Sequence, residues 1–196
     1  MGRNVGGPVA MGTYNLERLK FLIVDDNTHM RSLVRSVLRV LGARDIEEAT
    51  DGADAYARLG TYTADLVICN WQMSPMDGIE FVRLLRTDAD SPNPFVPVIM
   101  LTAHTEAKRV VEARDAGVSE FLAKPISANQ LYSRIRAIIE HPRAFVRVKS
   151  YVGPDRRRQE DPDLKRPERR TQDTVERPEE GGDELTAEDV ETLLKK

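Results

Sequence analysis

Five polar side chains stand where runs of apolar residues stop: Asp25 and Asp26 after Phe-Leu-Ile-Val, Asn70 after Leu-Val-Ile-Cys, Thr102 after Val-Ile-Met-Leu, and Lys124 after Phe-Leu-Ala. Two adjacent carboxylates beside a loop suit a hard cation such as Mg²⁺, which takes oxygen ligands and keeps several waters. A hydroxyl and an ammonium on neighbouring strands complete a cradle for a tetrahedral phosphoryl group. Taken singly, each residue has an ordinary reading: an acidic pair caps helices and turns, and a lysine before a proline sits on many surfaces. The weight comes from five such groups at the ends of successive apolar runs.

The elements that must carry these groups are legible in the hydrophobic pattern. Short apolar runs alternate with segments of helical period from Leu19 to His141, as in a parallel sheet covered on both faces. The spacing predicts strands over Phe21–Val24, Asp45–Ala49, Asp65–Cys69, Val96–Leu101 and Glu120–Ala123. Met30, Leu33, Val34, Val37, Leu38 and Leu41 form one helical stripe that Gly42 should stop. Further stripes run through Ile79, Val82 and Leu85, through Ala107, Val110 and Val111, and through Leu131, Ile135, Ile138 and Ile139, with a short helix over Ala53–Leu59. Right-handed crossovers and short loops then give an α/β fold, a five-stranded doubly wound parallel sheet of the flavodoxin-like kind. In such sheets ligands bind outside the carboxyl ends of the strands, where the five polar groups lie.

The blocks FLIVDDN, DLVICNWQMSPMDG, VIMLTA and FLAKP resemble the receiver domains of response regulators, the CheY-like family, in order and over Leu19 to about Glu140. The resemblance implies strand order 2-1-3-4-5 and a Mg²⁺ site formed by Asp25, Asp26, residue 70 and the backbone carbonyl of Gln72. Thr102 would be the switch hydroxyl, Lys124 the phosphoryl partner, and Phe121 the aromatic that reports activation. Two departures stand out. Asn70 occupies the position where the family carries its nucleophilic aspartate, and an amide has no anionic oxygen to attack a phosphohistidine. Phosphotransfer there should fail, and Mg²⁺ should bind more weakly for want of one charged ligand. Ser74-Pro75 shifts a proline usually found one place earlier, leaving Asp77 and Gly78 in register. Either the chain is a natural pseudo-receiver or the aspartate was substituted in an ordinary one; retention of Asp25, Asp26, Thr102 and Lys124 favours the second.

Composition bounds the rest. With 40% apolar and 31% charged residues in 196, the chain suits one compact domain and polar extensions. A formal charge of −3 argues against a protein that coats nucleic acid. Cys69 lies in an apolar run and reads as a buried hydrophobe in a reducing, cytoplasmic setting. The expected organisation is a flexible leader over 1–17, a receiver over 18–141, a disordered charged tail over 142–184, and a short helix over 185–196. Trp71 is expected to be partly exposed beside the pocket. His29, His104 and His141 read as loop or helix-end residues.

No DNA-binding or enzymatic module and no membrane span is expected, so the signal must leave by protein contact. A sensor histidine kinase or phosphotransfer protein is the expected upstream partner. Arg109, Arg114, Phe121, Tyr132 and Arg136 are candidates for the surface that meets a target. The end DELTAEDVETLLKK resembles the short peptide with which the flagellar switch protein docks on CheY-like receivers. Arg156, Arg157, Arg158, Lys165, Arg166, Arg169 and Arg170 form a basic stretch that suits a phosphate-bearing ligand. Cyclic di-GMP is the sharpest candidate, because some CheY-like proteins bind it through arginine-rich segments.

Overall fold

The structure is a computed structural model that describes residues 16–103, 107–148 and 151–155. Its elements run β1 (Lys20–Val24), α1 (Thr28–Val40), β2 (Asp45–Ala49), α2 (Gly52–Leu59), β3 (Leu66–Asn70), α3 (Gly78–Thr87), β4 (Val98–Thr102), α4 (Ala107–Ala116), β5 (Glu120–Ala123) and α5 (Ala128–Glu140). An additional pair follows, β6 (Phe145–Val148) and β7 (Tyr151–Pro154). Strands β1 to β5 form a parallel sheet of order 2-1-3-4-5. The expected doubly wound topology is therefore present.

Side-chain alternation along the central strands splits the core in two. Leu22, Val24, Val67, Cys69, Val98 and Met100 pack with residues of α2, α3 and α4, including Leu59, Phe81, Val82 and Ala113. Phe21, Ile23, Ile68, Ile99 and Leu101 pack instead with Val34 and Leu38 of α1 and with Leu131 and Ile135 of α5. Strands β1, β3 and β4 are buried on both faces, which is why they read as continuous apolar runs. Helices α1, α2, α3 and α5 begin on side-chain caps: Asn27 for α1, Asp51 for α2, and reciprocal capping boxes Asp77/Glu80 and Ser127/Gln130 for α3 and α5. Gly42 stops α1 at φ +96°, and Gly117 stops α4 at φ +97°. In both, an amide one residue further on reaches back to the helix, Ala43 to the Leu38 carbonyl and Val118 to the Ala113 carbonyl.

Several boundaries differ from the sequence expectation. Strand β4 starts at Val98 rather than Val96, because Val96 N–H is spent in a turn to the Asn93 carbonyl and Pro97 has no N–H to donate. Strand β3 begins after Asp65, whose carboxylate instead accepts from Lys20 N–H at 2.8 Å. Asn70 and Thr102 are thus the last residues of their strands. The leader is shorter than 1–17: Leu16–Arg18 form a 3₁₀ turn, and Leu16 is fully buried in the core.

The larger correction concerns the expected tail. Within 142–184, Phe145–Val148 and Tyr151–Pro154 pair antiparallel and pack on α3 and α4. Tyr151 is buried there and Phe145 half-buried, an anchoring that the overall basic composition conceals. The helix expected over 185–196, the basic stretch, and His104 lie outside the described residues.

Candidate functional site

The carboxyl ends of β1, β3, β4 and β5 bring Asp25, Asn70, Thr102 and Lys124 to one edge of the sheet. Asp25 follows β1 directly; its N–H donates to the Ala49 carbonyl and its side chain is nearly fully buried. Asn27 ties the acidic loop to α1: its side-chain oxygen caps the His29 and Met30 amides while its own N–H donates to Asp25 Oδ1 at 2.8 Å. Asp26, by contrast, is exposed. Arg31, one turn into α1, donates to the Asp25 carbonyl at 2.7 Å and pairs with Glu48 of β2 at 3.1 Å. It holds the acidic loop from behind, a role the sequence reading missed. Its only signal is an arginine six residues past an acidic strand end.

Asn70 is 8% exposed. Its Nδ2 donates to the backbone carbonyl of Gln72 at 2.7 Å, and its Oδ1 accepts from Lys124 Nζ at 3.0 Å. Lys124 Nζ also lies 3.6 Å from Asp25 Oδ2. That carboxylate oxygen is buried and makes no hydrogen bond. Burial pushes the Asp25 carboxyl above its usual range, against the Asn27 amide and the Lys124 ammonium, which pull it down. Thr102 is buried at the end of β4, and its carbonyl accepts the Lys124 N–H at 2.8 Å.

Gly78, at the start of α3, supplies the closest backbone approach. A Cβ there would collide with the Asn70 carbonyl and lie 3.1 Å from Cys69 Sγ, so only glycine lets α3 abut this strand end. Ser74-Pro75 and Lys124-Pro125 are both cis. Cys69 is wholly buried, and burial pushes its thiol far up, so it is no nucleophile.

Three aromatic residues are less exposed than a docking surface requires. Trp71 is 5% exposed, contrary to expectation, because Arg109 of α4 sits over its ring at 5.7 Å. Phe121 shares the same core cluster, and Tyr132 is buried on α5. Of the expected target surface, Arg136 is exposed and pairs with Glu140 at 2.8 Å, and Arg109 and Arg114 are half-buried. His29 lies in the first turn of α1, and His141 caps α5.

The residues fit Mg²⁺ in part. Asp25 Oδ2 is a buried acceptor without a donor, and Asp26 beside it is exposed. Yet among the described residues no group of three or more His, Cys, Asp or Glu is arranged for a metal ion. The Gln72 carbonyl is already engaged by Asn70.

An open parallel sheet of order 2-1-3-4-5, with a carboxylate, a hydroxyl and a lysine gathered at its carboxyl edge, defines a signal-receiver type of α/β domain. The chain belongs to the family described as response regulator receiver domain, which matches residues 21–136. It is 36% identical over 124 residues to chemotaxis protein CheY-3 of Vibrio cholerae, covering 63% of this chain and 94% of that protein. Chemotaxis protein CheY of Pseudomonas aeruginosa is 37% identical over 122 residues, covering 62% and 97%. Among solved structures, CheY4 of Vibrio cholerae aligns with TM-score 0.57 at 31% identity, over 61% of this chain and 98% of that one. Receiver domains bind Mg²⁺ in the acidic pocket and exchange signals with histidine kinases or phosphotransfer proteins and with targets. Among the described residues no helix is long and apolar enough to cross a membrane.

Proposed function

We propose that this chain is a receiver that takes no phosphoryl group at residue 70 and passes its signal by protein contact, with Asn70 in the place of the phosphate-accepting aspartate. The observation that carries this reading is the pair of hydrogen bonds made by the Asn70 amide, one to the Gln72 carbonyl and one from Lys124. A carboxylate could accept from Lys124 but could not donate to Gln72. Its natural bridge to that carbonyl is a cation. The amide N–H₂ stands in for the cation, and the amide oxygen for the carboxylate, so the pocket is satisfied without either. No anionic oxygen is available to attack phosphorus.

Asp25, Asp26 and Gln72 are the residues that would hold Mg²⁺, with Asn70 a poor fourth. When bound in such a pocket, Mg²⁺ neutralises charge on a transferring phosphoryl group. Thr102 and Lys124 are the hydroxyl and ammonium that would receive that group, and Phe121 is the aromatic through which the change would reach α4 and α5. The upstream partner is a sensor histidine kinase or phosphotransfer protein. The similarity to chemotaxis proteins favours a target of the flagellar-switch type. The site of action is cytoplasmic, and the arrangement is that of a signalling domain rather than an enzyme.

Incubating this chain and its Asn70→Asp variant with Mg²⁺ and a small phosphodonor tests the reading. The variant should gain one phosphoryl group by intact-mass measurement and this chain none. Labelling of this chain within the pocket would overturn it. A second reading rests on the arginines between 156 and 170: cyclic di-GMP binding independent of phosphorylation. Calorimetry with that nucleotide distinguishes it, and absence of heat at millimolar ligand ends it.

A further inference from the structure

At the end of the sheet opposite the polar cluster, α5, the start of β5 and the β6–β7 pair enclose an apolar cleft of about 250 Å³. Pro97, Ala137, Ile138, Pro142, Phe145 and Pro154 supply its apolar wall, and the polar residues Glu120, His141 and Arg143 also line it. Beside it Phe95 is 52% exposed and meets Phe145 edge to face at 5.6 Å between centroids. Of the other large apolar side chains exposed among the described residues, Leu33 and Val40 lie on α1 and Val111 on α4, scattered as ordinary surfaces scatter them. The base of the domain is where aromatic and aliphatic surface stays open together.

We propose that this cleft is the docking site of the chain's own end, Leu185–Lys196. Three observations select that occupant. Pro154 lines the cleft and the described chain stops one residue later, so the polypeptide leaves from the cleft's rim. The segment LTAEDVETLLKK carries Val190, Leu193 and Leu194 at a spacing of three and four, an apolar stripe that nothing in its own twelve residues can cover. The roughly 30 residues between reach at most about 100 Å when fully extended, ample to bring the segment to the cleft. A domain of this size is itself about 35 Å across. The segment is therefore held near the cleft at an effective concentration in the millimolar range, which makes a weak apolar contact sufficient. The α4–β5–α5 face competes poorly for it, since Phe121 and Tyr132 are buried there.

The test uses the full chain. Because Cys69 is buried and its thiol is pushed up, a nitroxide attached through Lys196→Cys goes to the end of the chain alone. The amide signals of Ser119, Ile138 and Phe145 should fall at least fivefold in the oxidised against the reduced label. Adding Leu193→Asp and Leu194→Asp should restore them, and both positions lie outside residues 21–136, which match the receiver family, so the receiver stays folded. Signal loss centred on Val111 and Tyr132, no localised loss, or loss that survives the two aspartates would each overturn the proposal. So would loss seen only between an isotope-labelled chain and a separate nitroxide-labelled one, which would make a second copy the occupant.

Discussion

The Asn70 amide accepts from Lys124 and donates to the Gln72 carbonyl; in the proposed function it stands in for an anion facing the first and a cation facing the second. Restoring the aspartate should therefore do more than supply a nucleophile. In the Asn70→Asp variant a carboxylate faces the Gln72 carbonyl with nothing between them, so millimolar Mg²⁺ should raise its melting temperature by mass action. This chain should respond much less, and an equal rise in both would show that the amide does not occupy the metal's place. Lys124 has a separate task, since its ammonium is the charge nearest the unbonded oxygen of Asp25. Lys124→Met should move the carboxyl titration of Asp25, followed by ¹³C NMR, further upward. Asp25, Asn70, Thr102 and Lys124 were legible as strand ends, because an apolar run broken by a polar residue marks the carboxyl edge of a buried strand. Arg31 was not legible, because its work is done by reach across a loop and leaves no period behind.

Among the elements, α3 carries the residue that sequence patterns hide best. Arg86 is 1% exposed, and its guanidinium donates to the carbonyls of Pro94 and Val96 at 2.8 Å and of Gly117 at 3.1 Å. The Phe145 ring covers it at 5.0 Å. Burial lowers its ionisation to about 10, so it stays charged at neutral pH. An arginine in an amphipathic helix reads as outward-facing. Here its partners come from the β4 approach, the α4–β5 turn and β6, none adjacent in sequence, and the last was expected to be disordered. Arg86→Met should cost on the order of 3 kcal/mol in urea unfolding, since three carbonyls lose their donor. Phe145→Ala should cost less, because the hydrogen bonds survive. Equal, negligible effects would show that the added strands are decoration.

A second link joins α2 to the end of α3: Tyr56 Oη donates to Asp88 Oδ2 at 2.6 Å. This bond pushes the Tyr56 phenol up to about 12 and holds the Asp88 carboxyl below its usual range. An acid depressed in the folded state stabilises fully above its unfolded value, and that contribution is lost as pH falls through the depressed one. Tyr56→Phe should return Asp88 toward an ordinary carboxylate titration and make acid unfolding begin at higher pH. An unmoved Asp88 titration would show that the bond is not made in solution.

At the scale of the molecule, the described fold runs from Leu16 to Asp155, longer at both ends than hydrophobic periodicity marks out. Leu16 enters the core through a short turn, too brief to show a period, and β6–β7 are four-residue strands within the segment expected to be a charged tail. Helix-length stripes and continuous strands were legible because they bury many residues in a regular order. Single anchors and short strand pairs depend on a surface already built by others. Ending the chain after His141 should accordingly lower its thermal stability, with Arg86 opened to water. An unchanged transition would confine the folding unit to the receiver core.

Most receivers keep a record: a phosphoryl bond written by one event and erased by another gives the cell a brief memory. Under the proposed function Asn70, bonded to Gln72 and Lys124, leaves no place to write. A receiver wired in this way would have one setting as far as phosphate is concerned. The cell would then tune its influence through dosage, by how many copies it makes and how soon it destroys them.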